Sequence, residues 1–98
     1  MSIHFAARVL WDSAKAKANL AAHGISFAEA ATILDDDHAI TREDTDSVGE
    51  QRFVTLGLSG VGNLLVVVYS WRGPTIIRLI SAWKANAGQR KQYAQSAA

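Results

Sequence analysis

Cysteine is absent from this 98-residue chain, which excludes a disulfide framework and a thiolate metal site. No apolar run approaches the roughly 20 residues needed to span a bilayer. The opening MSIHFAARVLWDSAK has no basic n-region, long apolar core or cleavage site of a secretory signal. The expected address is therefore the cytoplasm, with no membrane partner. Internal repeats, low-complexity stretches and linkers are also missing, so one domain over residues 1–98 is expected. The single proline, Pro74, falls in an Arg-Gly-Pro turn. The most telling absence is of one charge sign: residues 51–98 contain no Asp or Glu.

What is present sharpens that asymmetry. Hydrophobic residues make up 49% and charged residues 19%, an ordinary balance for a globular domain with a modest core. The net charge of +1 conceals two unlike halves. Residues 1–50 set nine acids against Arg8, Lys15, Lys17 and Arg42, a balance of −5. Residues 51–98 carry Arg52, Arg72, Arg78, Lys84, Arg90 and Lys91, a balance of +6. Such polarity fits a surface offered to a polyanion; acidic loops folded back over the basic half would neutralise it.

Arg8–Trp11 reads as a short strand. Asp12 or Ser13 can cap a first helix, rich in Ala and Lys, that runs to about Ala22 and ends at His23-Gly24, with Gly24 suited to a left-handed position. Ser26 and Glu29 form a capping box flanked by Ile25 and Ala30, opening a short second helix, FAEAATIL. The period then becomes extended: HAITRE, an acidic loop, QRFVTLG, a Gly-rich turn, and LLVVVYSW. That last run is β-branched and nearly continuous, as in a strand covered on both faces. After Arg72-Gly73-Pro74 comes a final strand, TIIRLISA, and Asn86 with Gln89 makes a second capping box for a last helix. The order β-α-α-β-β-β-β-α predicts an α+β domain in which an antiparallel sheet carries two N-terminal helices and one C-terminal helix. Trp83 is expected in the connection between the last strand and the last helix, a corner attractive to phosphate.

WDSAKAKANLAAHGISFAEAATIL (Trp11–Leu34), GEQRFVTLG (Gly49–Gly57), LLVVVYSWRG (Leu64–Gly73), IRLISAWKA (Ile77–Ala85) and QRKQY (Gln89–Tyr93) together resemble the BrnT family of toxins from bacterial type II toxin–antitoxin modules. The resemblance runs in order from about Trp11 to Tyr93. It implies a RelE-like fold and a ribonuclease that degrades RNA and arrests growth. It also implies a partner, a ribbon-helix-helix, BrnA-like antitoxin that neutralises the toxin in a hetero-oligomer and represses the shared operon. A non-catalytic module that only binds antitoxin and tunes repression is the alternative. One residue departs from the family pattern: where that pattern reads Ile-Ser-Ala-Arg, this chain has Ile80-Ser81-Ala82-Trp83. The indole is either an attenuating replacement of an RNA-binding guanidinium, a packing residue beneath the last helix, or a stacking platform for a base. Gln89 also stands where an acidic residue is the family pattern.

Metal-independent RNA cleavage has the ribose 2′-OH attack the neighbouring phosphate. It needs a base, an acid and cations on the phosphorane, and no cofactor. Arg78, inside an otherwise apolar strand stretch, is a candidate site cation or half of a structural ion pair. Strict alternation sends it to the face opposite residue 83, so both can serve one site only if the chain turns or bulges after Ala82. Arg52 and Arg72 are candidate phosphate contacts or solvated charges. Lys84 and Arg90 suit RNA backbone binding. Tyr93 can transfer a proton, stack on a base, or pack the last helix. Trp11 reads as core and Lys15 as an exposed cation that could bind RNA. His23 reads as a C-capping residue, and Asp35-Asp36-Asp37 as a solvated turn.

Overall fold

Short-range capping sets the first elements of this computed structural model, which describes residues 8–97. A short strand, β1 (Arg8–Leu10), leads into helix α1 (Ser13–His23). The Asp12 carboxylate accepts the Lys15 amide at its N-terminus, and Gly24, at φ 71°, closes it with a bond to the Leu20 carbonyl. Helix α2 (Phe27–Ala31) continues into a 3-10 turn, Thr32–Asp35. The Ser26 hydroxyl accepts the Glu29 amide as the capping box requires. The reciprocal bond is diverted, because the Glu29 carboxylate accepts hydrogen bonds from Ser59 Oγ and Asn63 Nδ2 instead, both at 2.7 Å. That ties α2 to the hairpin between the next strands.

Those strands are β2 (Ile40–Asp44), β3 (Arg52–Leu58), β4 (Leu64–Trp71) and β5 (Ile76–Lys84), followed by helix α3 (Ala87–Ala97). The second capping box is complete: Asn86 and Gln89 exchange amide-to-side-chain bonds, both 2.8 Å. The sheet order is β1-β5-β4-β3-β2. Neighbouring strands run antiparallel from β2 to β5, and β1 adds a parallel edge, with Arg8, Val9 and Leu10 opposite Ile76, Ile77 and Arg78. The α+β class and element order follow the sequence expectation; the parallel edge makes the sheet mixed.

β4 is buried from Leu64 to Ser70, because both faces of the sheet are covered. On one face Ile25, Phe27, Ala30 and Ile33 pack against Leu65, Val67, Tyr69, Ile77, Leu79 and Ala82. On the other, Leu56, Leu64, Val66 and Ala85 form a smaller cluster with Ile40, Val54, Trp83 and Tyr93 packed against it. Each fully buried Val, Leu or Ile side chain stabilises by about 1.5–3 kcal/mol, so this central strand is the backbone of the domain. Trp11 is not a core residue: it is 40% exposed and meets Phe27 edge-on at 6.2 Å.

Candidate nucleic-acid interface

The register of β5 decides which side chains share a surface. Ser70 lies opposite Arg78 and Tyr69 opposite Leu79, but Val68 lies opposite Ser81 and Val66 opposite Trp83. Ile80 is therefore an extra residue, a bulge that inverts the alternation. Ile77, Leu79 and Ala82 consequently fall in one cluster, and Arg78 and Trp83 share the opposite face. The expected turn or bulge after Ala82 is absent; the inversion comes before Ala82, at Ile80, and gives the common face by another route. Trp83 itself is a strand residue, not part of the connection to α3, because β5 runs on to Lys84. Its indole packs on the cluster beneath α3 and lies 6.0 Å from the His23 ring.

On that face the arginines gather at the end of the sheet away from α3. Phe53 pairs with Tyr69, so one step further along the register Arg52 stands beside Ser70. Arg52, Ser70 and Arg78 thus form a row across β3, β4 and β5. Arg42, opposite Val54, and Arg8, opposite Ile76, add cations on the flanking strands. Arg72 follows β4 and reaches the same corner through Glu50. The Glu50 carboxylate lies 3.4 Å from Arg72 Nη2 and 3.7 Å from Arg52 Nε. Arg78 makes no hydrogen bond or ion pair among the described residues. Ser70 is fully buried, and its Oγ, like Arg52 Nε, has no hydrogen-bond partner. Among the described residues, acids of the first half thus meet this face at Glu50, which pairs with Arg52 and Arg72, and at Asp44, opposite Arg52 in the register, while Arg78 has no ion pair.

Other predicted residues fall elsewhere. Lys84 sits opposite Leu65, which alternation assigns to the face packed by α1 and α2. Lys15 is on α1, beside Ala18, Asn19, Ala22, His23 and Ile80, also off the arginine face. Arg90 is exposed in the first turn of α3, the helix that lies over this face. Tyr93 is committed to a separate contact: its hydroxyl donates to Asp36 Oδ2 at 2.6 Å. Asp36 also accepts the Leu58 and His38 amides, so it is a structural latch and not a solvated turn residue. Leu58 and Arg52 are the two ends of β3, about 20 Å apart at roughly 3.3 Å per residue. Tyr93 and Arg52 therefore do not reach one phosphate. Burial and the hydrogen bond to Asp36 push the Tyr93 hydroxyl up to about 12. Burial alone would raise the Asp36 carboxyl, but the bonds from Tyr93, Leu58 and His38 outweigh it and hold it below its ordinary range.

Sequence reasoning missed Glu50 and Ser70. Glu50 was legible as the acid two residues before Arg52 in GEQR; Ser70 carried no signal inside an apolar strand. Among the described residues no three His, Asp or Glu side chains gather as a metal site, and no helix is long and apolar enough to cross a membrane.

A mixed sheet with α1 and α2 on one face, and α3 with a row of arginines beyond it on the other, defines a small α+β protein whose second face is cationic at one end. The sequence model of the family described as "Ribonuclease toxin, BrnT, of type II toxin-antitoxin system" matches residues 11–88, and the chain belongs to that family. It is a toxin-family protein whose class acts as ribonucleases alongside an antitoxin. The crystal structure of the Brucella abortus ribonuclease toxin BrnT superposes with a TM-score of 0.64 at 22% identity, covering 82% of this chain and 97% of that one. At that identity the likeness establishes the fold. No curated protein matches this chain.

Proposed function

We propose that this protein is a metal-independent endoribonuclease that cuts RNA across the arginine row and arrests growth. It acts in the cytoplasm and is held in a hetero-oligomer by a ribbon-helix-helix, BrnA-like antitoxin. The observation that carries the reading is Arg78. The residue is half-buried, has no counter-ion among the described residues, and stands in register with Arg52 on a face that α3 leaves open. A cation without a counter-ion is available to a developing phosphorane charge, which charged donors stabilise. Arg52, Arg72 and Arg78 hold and stabilise the phosphate; Arg90 contacts the flanking backbone.

Trp83 bears on strength of activity. Its row, through Val66, lies four residues along β4 from the Ser70 row, about 13 Å. An arginine at this position, the family pattern, extends the cationic row toward α3; the indole contributes apolar floor instead. This chain is therefore an attenuated enzyme. The test is incubation of the purified protein and its Trp83→Arg variant with RNA in EDTA. Both are expected to cleave, the variant faster. Equal rates remove the attenuation alone. Absence of cleavage by either, with the variant harmless on expression, rejects the enzyme. An antitoxin that still co-purifies would then leave a non-catalytic, autoregulatory role.

A further inference from the structure

The 2′-OH must lose a proton, and the described residues offer few groups near the arginine row to accept it. His23 is at the far end of α1 against Trp83. His38 is in the turn held by Asp36. The Tyr93 hydroxyl is bound to Asp36 at the opposite end of β3. Asp44, the last residue of β2 and opposite Arg52 in the register, forms no ion pair with it and has its Oδ1 engaged by the Asp46 amide. Glu50 is different. Among the described residues it is the one acid in contact with these arginines, and its two oxygens face Arg72 and Arg52 separately. The loop aims it: Gly49 turns at φ 84°, a conformation that favours glycine, and Ser47 Oγ donates to the Glu50 carbonyl at 2.8 Å.

A carboxylate beside phosphate-binding cations weakens RNA binding by occupying them. Its place here calls for a compensating role, and geometry is the first criterion for a general base. We infer that Glu50 is the general base of RNA cleavage, an inference that rests on the ribonuclease reading above. In the free protein its oxygens rest on Arg52 and Arg72. A bound phosphate takes over those guanidiniums together with Arg78, and the released carboxylate faces the adjoining ribose. Glu50 removes the 2′ proton, O2′ bonds to phosphorus, and the phosphorus–O5′ bond breaks. The departing 5′ oxygen takes a proton from water, leaving a 2′,3′-cyclic phosphate and a 5′-hydroxyl. Glu50 then returns its proton to solvent.

The test measures single-substrate cleavage of an RNA oligonucleotide by full-length protein, in the Trp83 and Trp83→Arg backgrounds, with and without Glu50→Gln. Glu50→Gln is expected to lower kcat by about 100-fold or more, the range of a lost general base, with KM unchanged or lower. Asp44→Asn is expected to leave kcat within about threefold, and Glu50→Asp to retain an intermediate rate. Melting temperatures of the variants report whether folding accounts for any loss. A kcat for Glu50→Gln that is unchanged or raised overturns the base and leaves the enzyme standing, with Glu50 an inhibitory counter-ion. No cleavage in either background overturns both.

Discussion

Asn19→Ala tests the joint on which the arginine face depends. β1 ends at Leu10, opposite Arg78, and beyond it the Ala82 peptide is held by a side chain. Asn19 Oδ1 accepts the Ala82 amide at 3.0 Å, and Nδ2 donates to the Ala82 carbonyl at 2.9 Å and to the Ile25 carbonyl at 3.0 Å. The residue is 6% exposed. Removing the amide strands three buried polar groups, each costing about 1–3 kcal/mol. Water entering the vacated space recovers part of that, so the expected loss is about 3–4 kcal/mol. For a domain with total stability of about 5–15 kcal/mol that is a large share. In urea the midpoint should fall by about 2 M, given a slope of about 1–3 kcal/mol per molar. Asn19→Asp should lose at least as much, because it keeps the acceptor but turns an anionic oxygen on two carbonyls. A loss below about 1 kcal/mol for Asn19→Ala, at unchanged slope, would refute the reasoning: the end of β5, with the bulge at Ile80, would be held by something else.

Tyr93→Phe should cost about 1 kcal/mol at neutral pH, the value of a part-exposed bond to a charged acceptor. The raised Tyr93 group stabilises fully below its ordinary value near 10 and loses that contribution as pH rises toward about 12. The lowered Asp36 group stabilises above its ordinary range and loses its contribution as pH falls below it. Urea midpoints of the two proteins should therefore differ by a constant amount from about pH 5 to 9 and converge outside that window; a constant gap at both extremes contradicts the latch. Ser70→Ala should stabilise by about 1 kcal/mol, because it removes a buried hydroxyl with no partner. A destabilisation of similar size would show that the hydroxyl is bonded.

Features set by neighbours three or four residues apart were legible in advance. Asp12, Ser26 and Asn86 cap helices because each side chain needs only the amide three residues on, and Gly24 closes α1 because glycine tolerates positive φ. The covered strand Leu64–Trp71 was visible as an unbroken apolar run. The candidate site was half legible: Arg52, Arg72 and Arg78 were identifiable as cations in a half-chain without acids. Their shared surface was not, and neither was the separation of Lys15, Lys84 and Tyr93 from it.

Sequence alone thus determined the element order, the caps, the central strand and the charge polarity, since each is encoded in local spacing or composition. Tertiary structure decided the parallel edge at β1, the bulge at Ile80 that brings Arg78 and Trp83 to one face, and the reach of Glu50 to Arg72. It also decided the pairing of Asn19 with a peptide 63 residues away. Each of these depends on how strands align across the sheet, and a register step of one residue reverses the side of every group that follows.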